Sequence, residues 1–199
     1  MAIYFDQEED MLYPTLNEVE ELLKDYQMVP VFYEVLADYM TPIRMFQALR
    51  KQGTPCFMLE SVENKDQWGR YSFIGINPKS EIKISGKELE VDGVKQEEEF
   101  KMSYLSDLIK KYKSPVMEDY PKLTGGLIGY FGYDMIRQVE KKLTNVPEDD
   151  LEMPECHLCM YDEISAFDHL ANKAVIIQNI HKGDNIKQKY EELEDKAEL

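Results

Sequence analysis

The sequence predicts an α+β fold, in which mixed, largely antiparallel sheet layers pack against helices. Three observations indicate this class. Two capped helix signals lie near the N-terminus, short strand signals crowd together from residue 70 onward, and a polar helical segment covers 183–199. With 199 residues and 43% hydrophobic composition, the chain can build one sizeable core and is predicted to form a single domain.

Helices are predicted from their start signals. Thr15 and Glu18 form a capping box, in which each residue can satisfy a backbone donor of the other, so a helix is expected over about 16–26. Thr41-Pro42 places an N-cap and a first-turn proline ahead of a second helix over 43–52. Three further helices are predicted over 103–112, 133–142 and 185–199.

Strands are predicted from alternation and from the turn residues between them. Alternating residues from Val29 to Val35 indicate a first strand. A strand is predicted over 55–62, and it is expected to lie centrally in its sheet because its Cys56-Phe57-Met58-Leu59 run is apolar on both faces. Short segments separated by glycine-containing turns then indicate an antiparallel meander. The remaining predicted strands cover 70–76, 80–85, 88–91, 157–167 and 174–180, with one more beginning at Gly125.

Composition excludes several classes of protein. The chain carries 39 acidic and 23 basic residues, for a net charge of −16, and nucleic-acid binding needs clustered Lys and Arg instead. No window approaches the roughly 18 apolar residues of a membrane-spanning helix, and the first residues lack the pattern of a signal peptide. We therefore expect a cytoplasmic protein with no nucleic-acid and no membrane partner.

The three cysteines do not resemble a disulfide framework. Cys156-His157-Leu158-Cys159 has the spacing of half a zinc site, but no second Cys/His pair lies at a suitable distance along the chain. The segment also continues as a predicted strand. Buried strand cysteines are therefore the favoured interpretation.

One segment carries the most specific pattern. An apolar run ends in Leu59-Glu60-Ser61, a short acidic turn follows, and a strand resumes at Gly69-Arg70-Tyr71-Ser72-Phe73-Ile74-Gly75. This pattern resembles an element in the N-terminal domain of anthranilate synthase component I, within the chorismate-utilising enzymes. Further segments that resemble this family, in the same order, are Val29-Pro30-Val31, Thr41-Pro42, Gly125-Gly126-Leu127-Ile128-Gly129-Tyr130-Phe131, and Met160-Tyr161-Asp162 with Phe167-Asp168-His169. The resemblance spans about residues 10–180.

The resemblance implies the regulatory part of a larger enzyme. Residues 1–199 are expected to form a single N-terminal domain, with a core over about 10–182 and the polar helical segment 183–199, while the C-terminal chorismate-binding catalytic domain is absent. Family members are lyases of tryptophan biosynthesis that convert chorismate and ammonia to anthranilate and pyruvate, with Mg²⁺ as cofactor. A glutamine amidotransferase subunit, component II, supplies the ammonia. The chorismate and Mg²⁺ ligands belong to the absent half, so this chain alone is expected to be inactive, with no catalytic residue and no metal site.

The resemblance also implies a feedback site for L-tryptophan. A free amino acid needs partners for its carboxylate and its ammonium group and an apolar slot for its ring. Ser61 offers a hydroxyl, Glu60 can accept from the ammonium group, and Leu59 can line the indole. Pro30 is expected as a wall residue, and Arg70 stands where some members carry a basic pocket residue.

Several alternatives remain open from the sequence. Glu60 and Ser61 can instead simply terminate a strand, and Arg70 can pair with Glu63 or Asp66 at the surface. At the level of the protein, component I of aminodeoxychorismate synthase shares the architecture. A standalone amino-acid-binding module and a docking domain without a ligand are the non-catalytic alternatives.

Overall fold

The computed structural model of the protein describes residues 11–37, 40–60, 69–140, 142–143 and 153–198. Within these ranges the chain forms ten strands, four α-helices and one 3₁₀ helix. The strands are β1 (Met28–Leu36), β2 (Phe57–Leu59), β3 (Tyr71–Gly75), β4 (Ser80–Ser85), β5 (Glu88–Val91), β6 (Val94–Lys95), β7 (Gly126–Phe131), β8 (Cys156–Tyr161), β9 (Glu163–Asp168) and β10 (Lys173–His181). The helices are α1 (Leu16–Asp25), α2 (Pro42–Leu49), α3 (Met102–Lys110), the 3₁₀ helix (Tyr133–Gln138) and α4 (Ile186–Ala197).

The strands form two five-stranded sheets in which the neighbouring strands described here all pair antiparallel. Sheet A has the order β1-β10-β9-β3-β2, and sheet B has the order β6-β5-β4-β8-β7. The predicted α+β class with largely antiparallel sheets is therefore confirmed. One cluster of buried side chains joins the two sheets, because it contains Cys159 and Tyr161 of sheet B together with Phe32, Ile164 and Ile177 of sheet A.

The chain crosses between the sheets at two places that lie side by side. It leaves sheet A after β3 and enters sheet B at β4, and it returns from β8 to β9 at Asp162. Lys79 holds the two crossings together, since its backbone N–H donates to Met160 O at 2.7 Å and its ammonium group lies 2.6 Å from the Asp162 carboxylate. His181 Nε2 lies 2.7 Å from the same carboxylate oxygen.

The terminal helices cover the outer part of sheet A. Glu18 accepts from the backbone N–H of Thr15 at 2.9 Å and from its hydroxyl at 2.8 Å, which stabilises the start of α1 as predicted. Hydrogen bonds from Thr15 keep the pKa of Glu18 below its usual value. Helix α4 packs beside α1, and it buries Tyr190 and Leu193 in the same core cluster as Val29 and Val31. Within the described residues, no helix is both long and apolar enough to cross a membrane.

Several predicted elements are corrected by the structure. The strand expected at the centre of a sheet over 55–62 is three residues long, and it lies at an edge because β3 alone pairs with it among the described strands. The strand predicted over 157–167 is divided at Asp162, where the chain changes sheets. The helix predicted over 133–142 is a 3₁₀ helix that ends at Gln138, and α2 ends at Leu49 rather than at residue 52.

Candidate functional site

Leu59 and Glu60 lie at the exposed end of edge strand β2. Leu59 pairs with Phe73 of β3, and 46% of its surface is exposed. Glu60 follows the last paired residue and is also exposed. Ser61, the residue to which the resemblance gives the safest ligand contact, lies outside the described residues. The two described members of the motif are therefore accessible to a ligand.

A close contact between an aromatic ring and a glycine sets the position of β2. Phe57 lies opposite Gly75 in the β2–β3 pairing and meets the ring of Tyr161 edge-on, with 4.8 Å between the ring centroids. A Cβ atom at Gly75 would lie only 2.0 Å from Cε1 of Phe57. Gly75 therefore leaves the space that the Phe57 ring occupies, which is a close-approach role typical of glycine inside a strand.

Arg70 lies at the same end of sheet A, just before β3 begins. Its Nε and Nη2 donate to one carboxylate oxygen of Asp168, at 2.9 Å and 2.5 Å. The other oxygen accepts from the backbone N–H groups of Leu170 and Ala171. Glu63 and Asp66, the surface partners considered for Arg70, lie outside the described residues.

The Arg70–Asp168 pair is buried at one end only. Asp168 is 3% exposed, whereas 41% of the Arg70 side chain is exposed. Burial raises the pKa of Asp168, but the hydrogen bonds from Arg70 and from the two backbone groups outweigh it, so the pKa lies below its usual value. The Asp168 hydrogen bond raises the pKa of Arg70. The pair therefore stays charged at neutral pH, and its carboxylate is held by four hydrogen bonds.

A second pair of polar side chains supports this end of β3. Ser72 is 1% exposed, and its hydroxyl lies 2.7 Å from Nε2 of His169. The backbone N–H of His169 donates to the carbonyl of Arg70 at 2.9 Å. The segment from Arg70 to Ser72 is therefore held through both backbone and side chains by the turn that follows β9.

Sheet register decides which of the predicted site residues meet. The ends of β1, β2 and β9 and the start of β3 fall at one end of sheet A, which we call the Leu59 end. It brings Leu59, Glu60 and Arg70 to the same region. It also carries the exposed apolar side chains of Leu36 (75% exposed) and Leu170 (80% exposed).

Pro30 is not brought to this group. It is buried in β1, opposite Asn179, and three strands separate β1 from β2. At about 4.8 Å between neighbouring strands, this order places the two strands about 19 Å apart along the sheet. Pro30 was predicted to line the pocket because Val29-Pro30-Val31 resembles a family motif. The sequence alone does not give the strand order that separates β1 from β2.

Asp168 is the site residue that sequence reasoning missed. It was recognised only as part of a family-like segment, although it holds the guanidinium group of Arg70. The two residues are 98 positions apart, so no local pattern links them. Glu63 and Asp66 are nearer to Arg70 in the sequence, and only the β3–β9 pairing, which sets Tyr71 opposite Asp168, identifies the actual partner.

The donor atoms of the described residues do not suit Mg²⁺. Among the described residues, one group of His, Cys, Asp or Glu side chains has metal-ligand spacing, namely Glu81, His157 and Cys159. Mg²⁺ prefers an octahedron of oxygen ligands, and this group offers a single carboxylate beside a thiol and an imidazole. The described residues therefore do not form a Mg²⁺ site.

The comparison with protein families defines the class of protein. The profile of chorismate-binding enzymes matches residues 54–198, and the chain therefore belongs to the chorismate-binding enzyme family. Within it, the chain is 42% identical over 190 residues to anthranilate synthase component 1 of Acetivibrio thermocellus, an alignment that covers 90% of this chain and 37% of that protein. The corresponding protein of Pseudomonas aeruginosa is 34% identical over 154 residues, with 74% of this chain and 31% of that protein covered.

A solved structure agrees with this assignment. The crystal structure of anthranilate synthase component I from Streptococcus pneumoniae TIGR4 matches with a TM-score of 0.50 at 28% identity, covering 80% of this chain and 36% of that chain. The resemblance to anthranilate synthase component I that the motifs indicated is thus confirmed. The chain spans about a third of the length of these relatives.

Proposed function

We propose that this chain is the N-terminal, feedback-regulatory part of anthranilate synthase component I. The complete protein converts chorismate and ammonia to anthranilate and pyruvate, in tryptophan biosynthesis. The observation that carries this proposal is the 42% identity over 90% of the chain to a protein named anthranilate synthase component 1. The partial coverage of that relative supports the further expectation that the 199 residues alone are inactive.

The Leu59 end of sheet A is the proposed binding site for L-tryptophan. Glu60 is exposed there and can accept a charge-assisted hydrogen bond from the ammonium group, and Leu59 offers apolar surface to the indole. Asp168 engages Nε and Nη2 of Arg70, so Nη1 lies outside that pair and can donate to the ligand carboxylate. Ser61 supplies a hydroxyl by resemblance. Pro30 is left out because it lies at the other edge of the sheet.

The rest of the protein completes the pocket and the reaction. The exposed side chains of Leu59 and Leu170 lie at the same end of sheet A as the proposed site, and their exposure supports a covering segment from the C-terminal half. That half is proposed to hold chorismate and Mg²⁺, and the glutamine amidotransferase subunit to deliver ammonia. All three cysteines of the chain are free thiols, which supports a reducing, cytoplasmic location.

Regulation follows as a coupling between two sites. Tryptophan bound at the Leu59 end favours an inactive arrangement of the complete protein, with a coupling free energy of about 1–3 kcal/mol. Because such coupling is reciprocal, chorismate weakens tryptophan binding to the same degree.

The proposal is tested on the complete protein, assembled with its amidotransferase subunit. We expect it to form anthranilate from chorismate and glutamine, measured by anthranilate fluorescence, and to be inhibited by tryptophan. Formation of aminodeoxychorismate instead would assign it to the folate-pathway relative. The 199-residue chain alone is expected to form neither product.

The binding site is tested separately with Ser61→Ala. This variant is expected to lose tryptophan inhibition while keeping its uninhibited turnover, because the proposed role of Ser61 is to bind the inhibitor and not the reacting atoms. Ser85→Ala, a variant at the exposed end of β4 in sheet B, serves as the matched control and should keep normal inhibition. Inhibition unchanged by Ser61→Ala would remove the site assignment without affecting the assignment of the reaction.

A further inference from the structure

Sheet B places three side chains with metal-ligating atoms on one face. In β8, Cys156 and Leu158 belong to the core cluster of sheet B, so strand alternation directs His157 and Cys159 to the opposite face. The β4–β8 register sets Glu81 opposite Cys159. Glu81, His157 and Cys159 therefore meet, although Glu81 and His157 lie 76 positions apart in the sequence. The Cys-His-x-Cys spacing itself cannot form a metal knuckle, because its two cysteines point to opposite faces.

The three donor atoms lie close to the spacing that a tetrahedral ion requires. His157 Nε2 lies 2.6 Å from Glu81 Oε1 and 3.8 Å from Cys159 Sγ, and all three atoms lie within 4.8 Å of one another. Metal–ligand bonds of about 2.0–2.3 Å in a tetrahedron separate the ligand atoms by about 3.3–3.6 Å. The observed distances bracket this separation, so small side-chain rotations are enough to reach it.

The kind of donor determines which ions fit. A thiolate and an imidazole bind zinc and similar borderline-soft ions, and a single carboxylate does not satisfy Mg²⁺ or Ca²⁺. The side chains of His157 and Glu81 are 28% and 29% exposed, which gives an ion access from solvent, whereas Cys159 is buried. Three protein ligands leave a fourth position for water or another ligand.

Lys83 is the cation that now occupies part of this region. Its ammonium group lies 3.2 Å from the Glu81 carboxylate and 3.7 Å from that of Glu90. When an ion takes Glu81, Lys83 can remain paired with Glu90. The lysine therefore competes with a metal ion but does not block it.

We propose that Glu81, His157 and Cys159 bind a divalent ion of the zinc class, with Lys83 as the competing cation. Binding deprotonates the Cys159 thiol and releases that proton to solvent. The proton that His157 Nε2 donates to Glu81 moves through solvent to Nδ1 of the same ring, so Nε2 and the Glu81 carboxylate each become free to form a bond to the ion. No electron is transferred, and the fourth ligand is water.

The test is a titration of the full 199-residue chain, fully reduced and free of metal, with Co²⁺. Binding is expected to produce a thiolate-to-cobalt charge-transfer band in the near ultraviolet and the strong visible bands of four-coordinate cobalt, and Zn²⁺ should displace both. Cys159→Ser should lose the charge-transfer band. Glu81→Gln and His157→Gln should weaken binding, while Lys83→Met should lower the Kd.

Two matched controls use the other cysteines of the chain. Cys156→Ala changes the same strand on its core face, and Cys56→Ser changes a cysteine outside the cluster, so both should keep the charge-transfer band. Circular dichroism establishes that each variant is folded, and the two Gln variants carry the test if Cys159→Ser fails to fold. The proposal is overturned if the folded wild-type chain gives no band, or if the band survives Cys159→Ser or disappears with either control.

Discussion

Strands β2 and β3 are hydrogen-bonded neighbours, yet the fold holds them very differently. Strand β3 pairs on both sides, and it contains Ile74 and Ser72, each only 1% exposed. Strand β2 pairs on one side among the described strands, has three residues, and ends at the exposed Leu59, which the exposed Glu60 follows. The two belong to one family motif, so the motif combines a structural half with an accessible half. This difference separates substitutions that should affect stability from substitutions that should affect ligand binding.

The largest effect on the free energy of unfolding is expected at Asp168, which holds the start of β3 in place. Asp168→Ala removes a buried carboxylate that accepts from Arg70 and from two backbone N–H groups, which are left without a partner. We expect the free energy of unfolding to fall by about 3 kcal/mol, as measured by urea denaturation. Glu34→Ala, which removes an exposed carboxylate at the same end of the sheet, is the control. Equal effects of the two variants would show that β3 is not specially anchored.

The contact between the two strands gives the next effect. Gly75→Ala places a methyl group where the ring of Phe57 lies, 2.0 Å from its nearest carbon, and overpacking of this kind is expected to cost about 2 kcal/mol. Because β2 is a short edge strand, part of the strain should be relieved by its displacement. In a Phe57→Ala background the same substitution should cost much less, a comparison made with a double-mutant cycle. A cost that is the same in both backgrounds would place the strain elsewhere.

Low pH should weaken the hydrogen bonds that the Asp168 carboxylate accepts at this end of β3. The pKa of Asp168 is lower in the folded chain than its unfolded value of about 3.9, so its contribution to stability is complete above that pH. This contribution is lost as the pH falls through the folded pKa. Asp168→Asn, which cannot titrate, should therefore show a shallower loss of stability between about pH 4 and pH 2 than the wild-type chain. The effect is smaller than that of Asp168→Ala because a protonated carboxyl group still accepts hydrogen bonds. Parallel slopes would mean that other carboxylates account for the acid sensitivity.

The same contrast explains how much of the fold could be predicted from the sequence. Strands β4 and β5 match their predicted bounds because glycine-containing turns mark their ends locally. The edge position of β2 could not be predicted, since an apolar run reads the same whether a sheet continues beyond it or not. The change of sheets at Asp162 carries no glycine or proline that would mark it.

The candidate site was predictable to the extent that it depends on a continuous motif. Leu59, Glu60 and Arg70 were proposed together from one segment, and pairing of β2 with β3 does bring them to one end of sheet A. Pro30 and Asp168 depend on strand order and register, which are properties of the whole fold. The group formed by Glu81, His157 and Cys159 could not be predicted for the same reason, because Glu81 lies on a different strand from the other two residues.

Removal of Arg70 should have a smaller effect than removal of its partner. In Arg70→Ala, Asp168 keeps its two backbone donors, and the side chain that is removed is 41% exposed, so we expect a loss of about 1 kcal/mol. The guanidinium group also lies over the ring of Tyr71, 5.0 Å from its centroid, and this contact is lost as well. Unfolding of Arg70→Ala, Asp168→Ala and the double variant measures the coupling directly. Additive effects would show that the pair contributes nothing beyond its separate residues.

The smallest effect on stability, and the most informative one for function, is expected at the accessible end of β2. Leu59→Ala and Glu60→Gln change exposed side chains, so each should alter the free energy of unfolding by no more than about 0.5 kcal/mol. In the complete protein, Glu60→Gln should raise the tryptophan concentration needed for inhibition, because the amide offers the ammonium group a neutral acceptor in place of a charged one. Uninhibited turnover should stay unchanged. If Glu60→Gln destabilises the chain as strongly as Arg70→Ala, or leaves inhibition untouched, then the accessible half of the motif is structural too, and the division between the two strands does not hold.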